Sequence, residues 1–524
     1  MYDKLKEKFG SNPLDATDHF RCVDRMEQIR IFADESGHGN EKYIDDITWN
    51  DLEMDEIFYR INQTKSYIGE QFLYQRLHDL DADRDWRQFE RQQDYFTKNP
   101  KERLSIEMKL CGIGKQTTDY YLPVFLNYSK SYEMEHTAIY HVMQTLLFFF
   151  IAASILTLGN EAAVLGLLAM CLANFSVYLF TKRKYEVYMH SLSDIGLVIE
   201  LCNTFLKDEK QAEILGVNEF KAEIAELNRL SRKIGNFQKR KYGAMNGNPD
   251  SVIWEYVMGI TLYDISMFNH MMKIVEHNQH KIWNLYCIIG MMDAGISVAS
   301  FRAGILQYCQ PEFTAENIEV EGIYHPLIEN CISNDFMMTS NSLITGANAS
   351  GKSTFMKTIA LNTILAQTIH TCTAVRMQIP ALAVMTSMTL RDDVISGESY
   401  YIREIKYLRR MIDLSDQKIP VLCIIDEILK GTNTRERIAA SEAILKYFSK
   451  TNSLVMVASH DTELIEKMRG QYDSYYFESQ IMESEIQFDY HIHKGIGGNV
   501  NAIALLKCFG YPEEITSMAA AYMK

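Results

Sequence analysis

Ser342-Leu-Ile-Thr-Gly-Ala-Asn-Ala-Ser-Gly-Lys-Ser-Thr-Phe-Met-Lys357 sets the architecture of this chain. Leu343 to Thr345 read as the end of a buried strand, and Gly346 to Ser353 fit the pattern G-x-x-x-x-G-K-[ST]. From Thr354 to Gln367 the apolar positions Met356, Ile359, Leu361 and Ile364 keep helical spacing. Strand, glycine-rich turn and helix in that order predict a phosphate-binding P-loop. The chemistry explains each residue type. Glycines let backbone N–H groups wrap phosphates, Lys352 sets a cation on their outer oxygens, and the Ser353 hydroxyl ligates magnesium. The expected nucleotide contacts are therefore Gly346, Ser350, Gly351, Lys352, Ser353 and Thr354, with Ser353 also a metal ligand.

Further along, Pro420-Val-Leu-Cys-Ile-Ile-Asp-Glu427 is an apolar run that closes in two carboxylates, as expected of a central parallel strand whose C-terminal end faces the ligand. Asp426 is placed to hold the magnesium shell and Glu427 to orient or deprotonate an attacking water. Ser453-Leu-Val-Met-Val-Ala-Ser-His460 is a second apolar strand, and a neutral imidazole at its end can hydrogen-bond a terminal phosphate or the water. Between the P-loop and these strands, Ser396-Gly-Glu-Ser399 opens a helix with apolar positions Ile405, Leu408 and Ile412. Ser396, Gly397 and Ser399 there expose N–H groups and hydroxyls suited to an anion, or form an ordinary helix cap.

With 524 residues the chain has room for about three domains. Hydrophobic residues at 47% and charged residues at 23% fit a folded protein, and the net charge of -15 argues against extensive phosphate contacts to nucleic acid. Any DNA contact is expected to be local or state-dependent. Ten cysteines occur without a C-x-x-C pair, which points to a reducing compartment and away from a structural zinc site.

Residues 1 to 42 read as a polar segment with a short helix and a loop. From Tyr43 to residue 135 an apolar stripe through Ile57, Ile61, Ile68, Phe72, Leu73 and Leu77 predicts packed helices, with Gly69 allowing a close helix contact. His136 to Asn160 and Ala162 to Thr181 then contain no Asp, Glu, Lys or Arg. At about 1.5 Å per residue each run reaches across a hydrocarbon core of roughly 30 Å, and Gly159-Asn160-Glu161 supplies a tight turn. Lys182-Arg183-Lys184 follow at once, so a membrane hairpin over 136–181 would keep both chain ends on the cytoplasmic side. Residues 182–310 resume helical periodicity. They carry a basic cluster, Arg232-Lys233 with Lys239-Arg240-Lys241, and a methionine stripe suited to core packing. Gln310-Pro311 marks the expected boundary with a nucleotide domain over 311–524.

The segments Thr345–Thr354, Ser396–Ser399, Asp426-Glu-Ile-Leu-Lys-Gly-Thr-Asn-Thr434 and Ala458-Ser-His460, in this order, resemble the ATPase domain of the MutS family of mismatch-repair proteins. Tyr324-His-Pro-Leu327 and Gly497-Gly-Asn-Val-Asn-Ala-Ile503 are similar to its flanking segments. Asp45-Asp-Ile-Thr-Trp-Asn-Asp-Leu-Glu-Met54 with Gly69-Glu-Gln-Phe-Leu-Tyr74 resembles the start of its helical core and lever. The implied fold is an α/β P-loop NTPase domain of the ABC/MutS type, preceded by an α-helical core/lever domain that here carries a two-helix transmembrane hairpin. The resemblance further implies ATP with Mg2+ at sites shared across a dimer. Asn348, Lys352 and Ser353 would contact nucleotide and metal, Asp426 and Glu427 would serve hydrolysis, Ser399 would reach the partner's terminal phosphate, and His460 would sense that phosphate. The Gly431-Thr-Asn-Thr434 turn would sit at the dimer interface.

The departures from the family pattern shape the expected function. None of the 25 phenylalanines precedes a glutamate by two residues, so the Phe-x-Glu wedge of mismatch readers is missing, and the chain starts almost directly at the core-like segment. No nuclease-like segment is expected after Lys524, and Ala347, Ala349 and Ser350 stand where the family typically has proline, methionine and glycine. The leading expectation is a homodimeric MutS-type ATPase anchored in the bacterial inner membrane, ATPase domain in the cytoplasm, moving helical levers on DNA or on a protein partner. The alternatives are a cytoplasmic repair ATPase that binds mismatched or branched DNA and buries the hairpin, and a P-loop small-molecule kinase. The Asp426-Glu427 pair and His460 suit water activation, which a kinase must exclude.

Overall fold

Before residue 310 the apolar residues recur every three or four positions and the elements are helices; from Glu312 alternating or continuous apolar runs appear between helical stretches, and strands alternate with helices. The computed structural model describes all residues except 1, 16–21, 37–42, 133, 135–136, 187, 246–248, 348–349, 389–399, 418, 483–484, 498–505, 507–508 and 523–524. Helices used below are α1 (Met26–Ser36), α2 (Tyr67–His78), α3 (Trp86–Lys98), α4 (Thr137–Leu156), α5 (Glu161–Glu186), α6 (Met189–Phe205), α7 (Lys221–Met245), α8 (Pro249–Ile260), α9 (Tyr263–His277) and α10 (Gln279–Gly304).

The N-terminal segment is more ordered than its polarity suggests. Tyr2–Lys8 is helical, and Ile29, Phe32 and Ala33 of α1, spaced three and one apart, are buried in the helical core. So few apolar positions make a stripe too narrow to read among charged neighbours. α10 is the axis of the helical part, with Met292, Ile296, Val298 and Phe301 buried along it. Asp293 on α10 accepts the Lys65 and Ser66 amides and the Ser66 hydroxyl at 2.6–3.0 Å, which caps the start of α2. A Cβ on Gly69 would lie 2.7 Å from that of Asp293, so the close contact expected there is made.

α4 and α5 form an antiparallel hairpin closed by Leu158 and Gly159, both with positive φ (52° and 80°). Segments Ser129–Leu156 and Glu161–Lys182 are long and apolar enough to cross a membrane and are 6% and 11% buried. Gln279–Gly304 meets the same criteria but is 78% buried. That contrast separates a core helix from a hairpin whose Phe148, Phe149, Ile155, Leu165 and Phe180 face outward.

The second part holds β1 (Glu312–Phe313), β2 (Ile318–Ile323), β3 (Asn334–Met338), β4 (Ser342–Thr345), β5 (Arg376–Ile379), β6 (Ala383–Ser387), β7 (Val421–Asp426), β8 (Ser453–Ala458), β9 (Asp473–Met482) and β10 (Glu485–Lys494). Helices α11 (Lys352–Ile369), α12 (Tyr400–Asp416) and α13 (Thr434–Phe448) lie between them. The large sheet runs β10-β9-β4-β8-β7-β6, parallel except for the antiparallel β9–β10 edge; the small one runs β1-β5-β2-β3. Along β7, Leu422 and Ile424 pack on the α11 side while Val421, Cys423 and Ile425 pack with Leu408, Met411 and Phe448 on the other. Burial on both faces is why β7 and β8 read as unbroken apolar runs.

The two parts are tied at the far end of α11. Arg302 of α10 grips Glu90 of α3 bidentately (2.7 and 2.8 Å) and donates to the His370 carbonyl (2.9 Å) and the Thr371 hydroxyl (2.9 Å). His370 caps α11 in the left-handed region, places Nδ1 2.7 Å from Glu90, and stacks on Trp86. Nearer the site, Asp51 accepts the Thr386 hydroxyl (2.7 Å) and Met388 amide (2.9 Å), and Asp45 pairs with Arg410 (2.9 Å).

Candidate functional site

β4 delivers the chain into the P-loop at the C-terminal edge of the sheet, flanked by β8 and β9. Gly346 (φ 143°) and Gly351 (φ 104°) adopt backbone that a side chain would oppose. A Cβ on Gly346 would lie 2.9 Å from Ser350 Oγ and 3.0 Å from the Phe477 carbonyl. Lys352 Nζ bridges the carbonyls of Gly346 (2.7 Å) and Ala347 (2.9 Å), arching over the loop. Burial lowers the Lys352 ammonium against the opposing pull of Asp426 and Glu427. Ser350 Oγ is buried and has no hydrogen-bond partner among the described residues, as expected of a loop built around a polar ligand.

β7 brings the acidic pair to the same edge. Ser353 Oγ donates to Asp426 Oδ2 at 2.6 Å, so the hydroxyl and carboxylate expected to share a magnesium ion meet directly. Glu427 follows in the left-handed region (φ 60°), as does Leu429 (φ 58°), and its amide extends the ladder to Ala458 O at 3.1 Å. Its carboxylate meets His460 Nε2 at 2.8 Å and Lys430 Nζ at 3.1 Å. The His460 hydrogen bond, against burial and with Lys430 assisting, holds the Glu427 carboxyl down at about 2. A carboxylate held that low is ionised at neutral pH and is a weak proton acceptor.

Several positions at the site lie beyond what the motifs indicate. Glu404 of α12 is 2% exposed and accepts the Lys430 amide (3.0 Å) beside those of Leu429 and Gly431, which pins the strained turn after Glu427. Its signal in the sequence is a charge four residues before Leu408 and seven before Met411, on the apolar face of α12. Asn334 accepts the Ile492 amide (2.8 Å) and donates to Tyr490 O (3.1 Å), holding a bulge in β10 that sets Tyr490 against Gly351. His325 is 7% exposed. Burial and nearby Lys357 lower its imidazole to about 4, so it is neutral, with Nδ1 accepting the Leu327 amide.

His325, Asn334 and Tyr490 border a cleft of about 630 Å³ between the P-loop, the end of β7 and Tyr324–Asn334. Gly351, Lys352, Ser353, Thr354, Asp426 and Glu427 line it. Gly346 and Ser350 shape the loop behind it, and His460 joins through Glu427. Asn348, Ser396, Gly397 and Ser399 fall outside the described residues, as do positions 498–503 of the expected C-terminal flanking segment.

The family model for MutS domain V, the ATPase domain of MutS, matches residues 342–524, which contain the whole P-loop, acidic-pair and His460 assembly. Residues 342–524 thus match the MutS family through its domain V. The chain is 26% identical over 264 residues to the DNA mismatch repair protein MutS of Thermotoga sp. (strain RQ2), a match covering 48% of this chain and 33% of that one. It is 29% identical over 223 residues to DNA mismatch repair protein MutS of Natronomonas pharaonis (40% and 26%) and over 241 residues to human MutS protein homolog 4 (43% and 25%). The chain thus spans a third or less of the length of these relatives.

The donor set of the MutS-family site fits a nucleotide with magnesium. An orphaned buried hydroxyl, a glycine-walled loop, an ammonium and a hydroxyl–carboxylate pair converge on one cleft. Lys352 and the loop amides would hold phosphates, and Ser353 with Asp426 would hold the metal.

Proposed function

We propose that the chain is a membrane-anchored, dimeric ATPase of the MutS type, in which ATP binding and hydrolysis at the cleft move the helical part as a pair of levers. What carries the reading is the coincidence in one chain of the Ser353–Asp426–Glu427–His460 assembly with a two-helix hairpin whose apolar face is turned outward. Magnesium, when bound, supplies charge neutralisation at the transferred phosphoryl group. Lys352 binds the phosphates; Asp426 and Ser353 orient the metal's ligand shell; Glu427 aligns water; and His460 fixes Glu427 and answers to the charge beside it. Asn348 would add a nucleotide contact. Ser396, Gly397 and Ser399 would meet the nucleotide of a second copy, which makes a homodimer the functional unit. The Glu90–Arg302–His370 junction supports lever coupling, since it joins the far end of the P-loop helix to α10.

Insertion of 136–181 in the bacterial inner membrane keeps the ATPase domain cytoplasmic, with Lys182 at the headgroups. The lever's substrate is DNA or a protein partner at the membrane. The relatives' names favour DNA, and the same names support the second reading, a cytoplasmic repair ATPase whose hairpin is covered by protein. The deciding experiment uses Glu427→Gln protein in nanodiscs with ATP and magnesium, titrated with matched, mismatched and branched duplexes at two salt concentrations. Structure-selective binding that weakens with salt supports a membrane-tethered DNA factor. Absence of binding to every duplex directs the lever to a protein. Release of the wild-type protein from membranes by carbonate overturns the anchoring.

A further inference from the structure

α8 is a short helix whose apolar side is largely uncovered by the described residues. Ile253, Trp254, Tyr256 and Val257 are 61%, 53%, 55% and 40% exposed. The helix is nevertheless fastened to the hairpin. Tyr256 lies 5.8 Å from the Phe175 ring, and Gly259 comes so close to Tyr178 that a Cβ there would sit 2.7 Å from its ring. Asn174, fully buried midway along α5, donates to the Ile260 carbonyl at 2.8 Å. Gln144 of α4 donates to the Thr261 carbonyl (3.1 Å) and approaches Ser266 Oγ (2.9 Å).

The last carbonyls of a helix lack intrahelical partners, and in water the solvent satisfies them. Inside hydrocarbon each needs a protein donor. Asn174 and Gln144, among the few polar side chains of the two apolar helices, are spent on carbonyls at this helix end. The length of α8 is also telling: 12 residues at about 1.5 Å each give roughly 18 Å, enough for one leaflet but not for a core of about 30 Å. Its contacts at Phe175 and Tyr178 place it beside the half of α5 that leads to Lys182.

We propose that α8 lies in the cytoplasmic leaflet beside the α4–α5 hairpin, its exposed face covered by lipid acyl chains. The helical part then enters the membrane as a three-helix unit, and α7 and α9, which flank α8 in the chain, are tied to the bilayer at this point. The inference rests on the hairpin reading. Its occupant is lipid because the exposed apolar residues sit on a helix packed directly against the outward-facing apolar hairpin, and the carbonyls at its end are already satisfied.

The test uses the full chain in vesicles of phosphatidylcholine and phosphatidylglycerol whose acyl chains are brominated at a shallow or a deep position. Trp254 is one of four tryptophans, and Trp49 and Trp86 are buried in the core. Brominated lipid is expected to quench part of the emission, more strongly at the shallow position, and Trp254→Phe is expected to remove most of that quenching. Gln144→Leu and Asn174→Leu together are expected to reduce it at least twofold while the protein stays in the membrane. Equal quenching in wild type and Trp254→Phe overturns the proposal, as does access of aqueous acrylamide to Trp254. Protection from both quenchers, with cross-linking between two copies through α8, also overturns it in favour of a protein contact. Carbonate extraction separates the failures: released protein sinks the hairpin and this inference together, whereas retained protein with a water-exposed Trp254 sinks this inference alone.

Discussion

His460 Nε2 and Glu427 Oε1 stand 2.8 Å apart, one at the end of β8 and the other at the end of β7, so the group expected to sense phosphate and the group expected to align water form one unit. Register decides this: Asp426 pairs with Ala458, which leaves Glu427 and His460 each just past its strand. A change in charge at either residue is felt by the other.

Glu427→Gln keeps the shape of the pair and removes its charge. ATP turnover is expected to fall by about 10²–10⁴-fold, while nucleotide still binds through the P-loop. Phosphate release and equilibrium binding of a fluorescent nucleotide measure the two separately; unchanged turnover would remove Glu427 from the chemistry.

The low value of Glu427 has a pH signature. Its folded value of about 2 lies below the ordinary 4.5, so the stabilisation from pairing is complete above the ordinary range and is lost progressively as pH falls from there through about 2. The rate profile between pH 4 and 8 should therefore show no inflection from this carboxylate. Replacing His460 by Asn removes the largest cause and is expected to move the acid limb upward.

Gly346→Ala tests the loop. With φ at 143° and a Cβ 2.9 Å from Ser350 Oγ, the substitution must shift the turn, and nucleotide affinity is expected to drop at least about tenfold. Ser353→Ala should instead spare metal-free binding and abolish the gain from magnesium, because it removes the hydroxyl beside Asp426 and leaves the loop intact. Calorimetric titration with and without magnesium distinguishes the two.

Glu90→Gln is expected to destabilise the chain by about 2–4 kcal/mol at neutral pH, because it leaves the nearly buried Arg302 without its counter-charge. Burial tends to raise the Glu90 carboxyl, but the hydrogen bonds from Arg302 and His370 outweigh it and hold it below its ordinary value. The stabilisation is thus present above the ordinary carboxylate range and fades as pH falls through the lowered value. Urea melts of wild type and variant should converge in strong acid.

The P-loop, the two apolar strands and the acidic pair are legible in the chain because each is local. A glycine pattern, a run buried on both faces and a carboxylate at a strand end all leave their mark within eight residues. The hairpin is legible too as two long uncharged runs. Glu404, Asn334, Tyr490 and the Glu90–Arg302–His370 junction are not, because their partners lie 26 to 280 residues away and depend on which helix faces which strand. The same holds for α8, whose apolar residues look like core until the structure leaves Ile253, Trp254, Tyr256 and Val257 largely exposed among the described residues. Residue order is enough to say which groups can cradle phosphate and which segments shun water. Which charges meet and which apolar faces stay open follows from the folded arrangement, because both depend on contacts between distant elements and not on residue type.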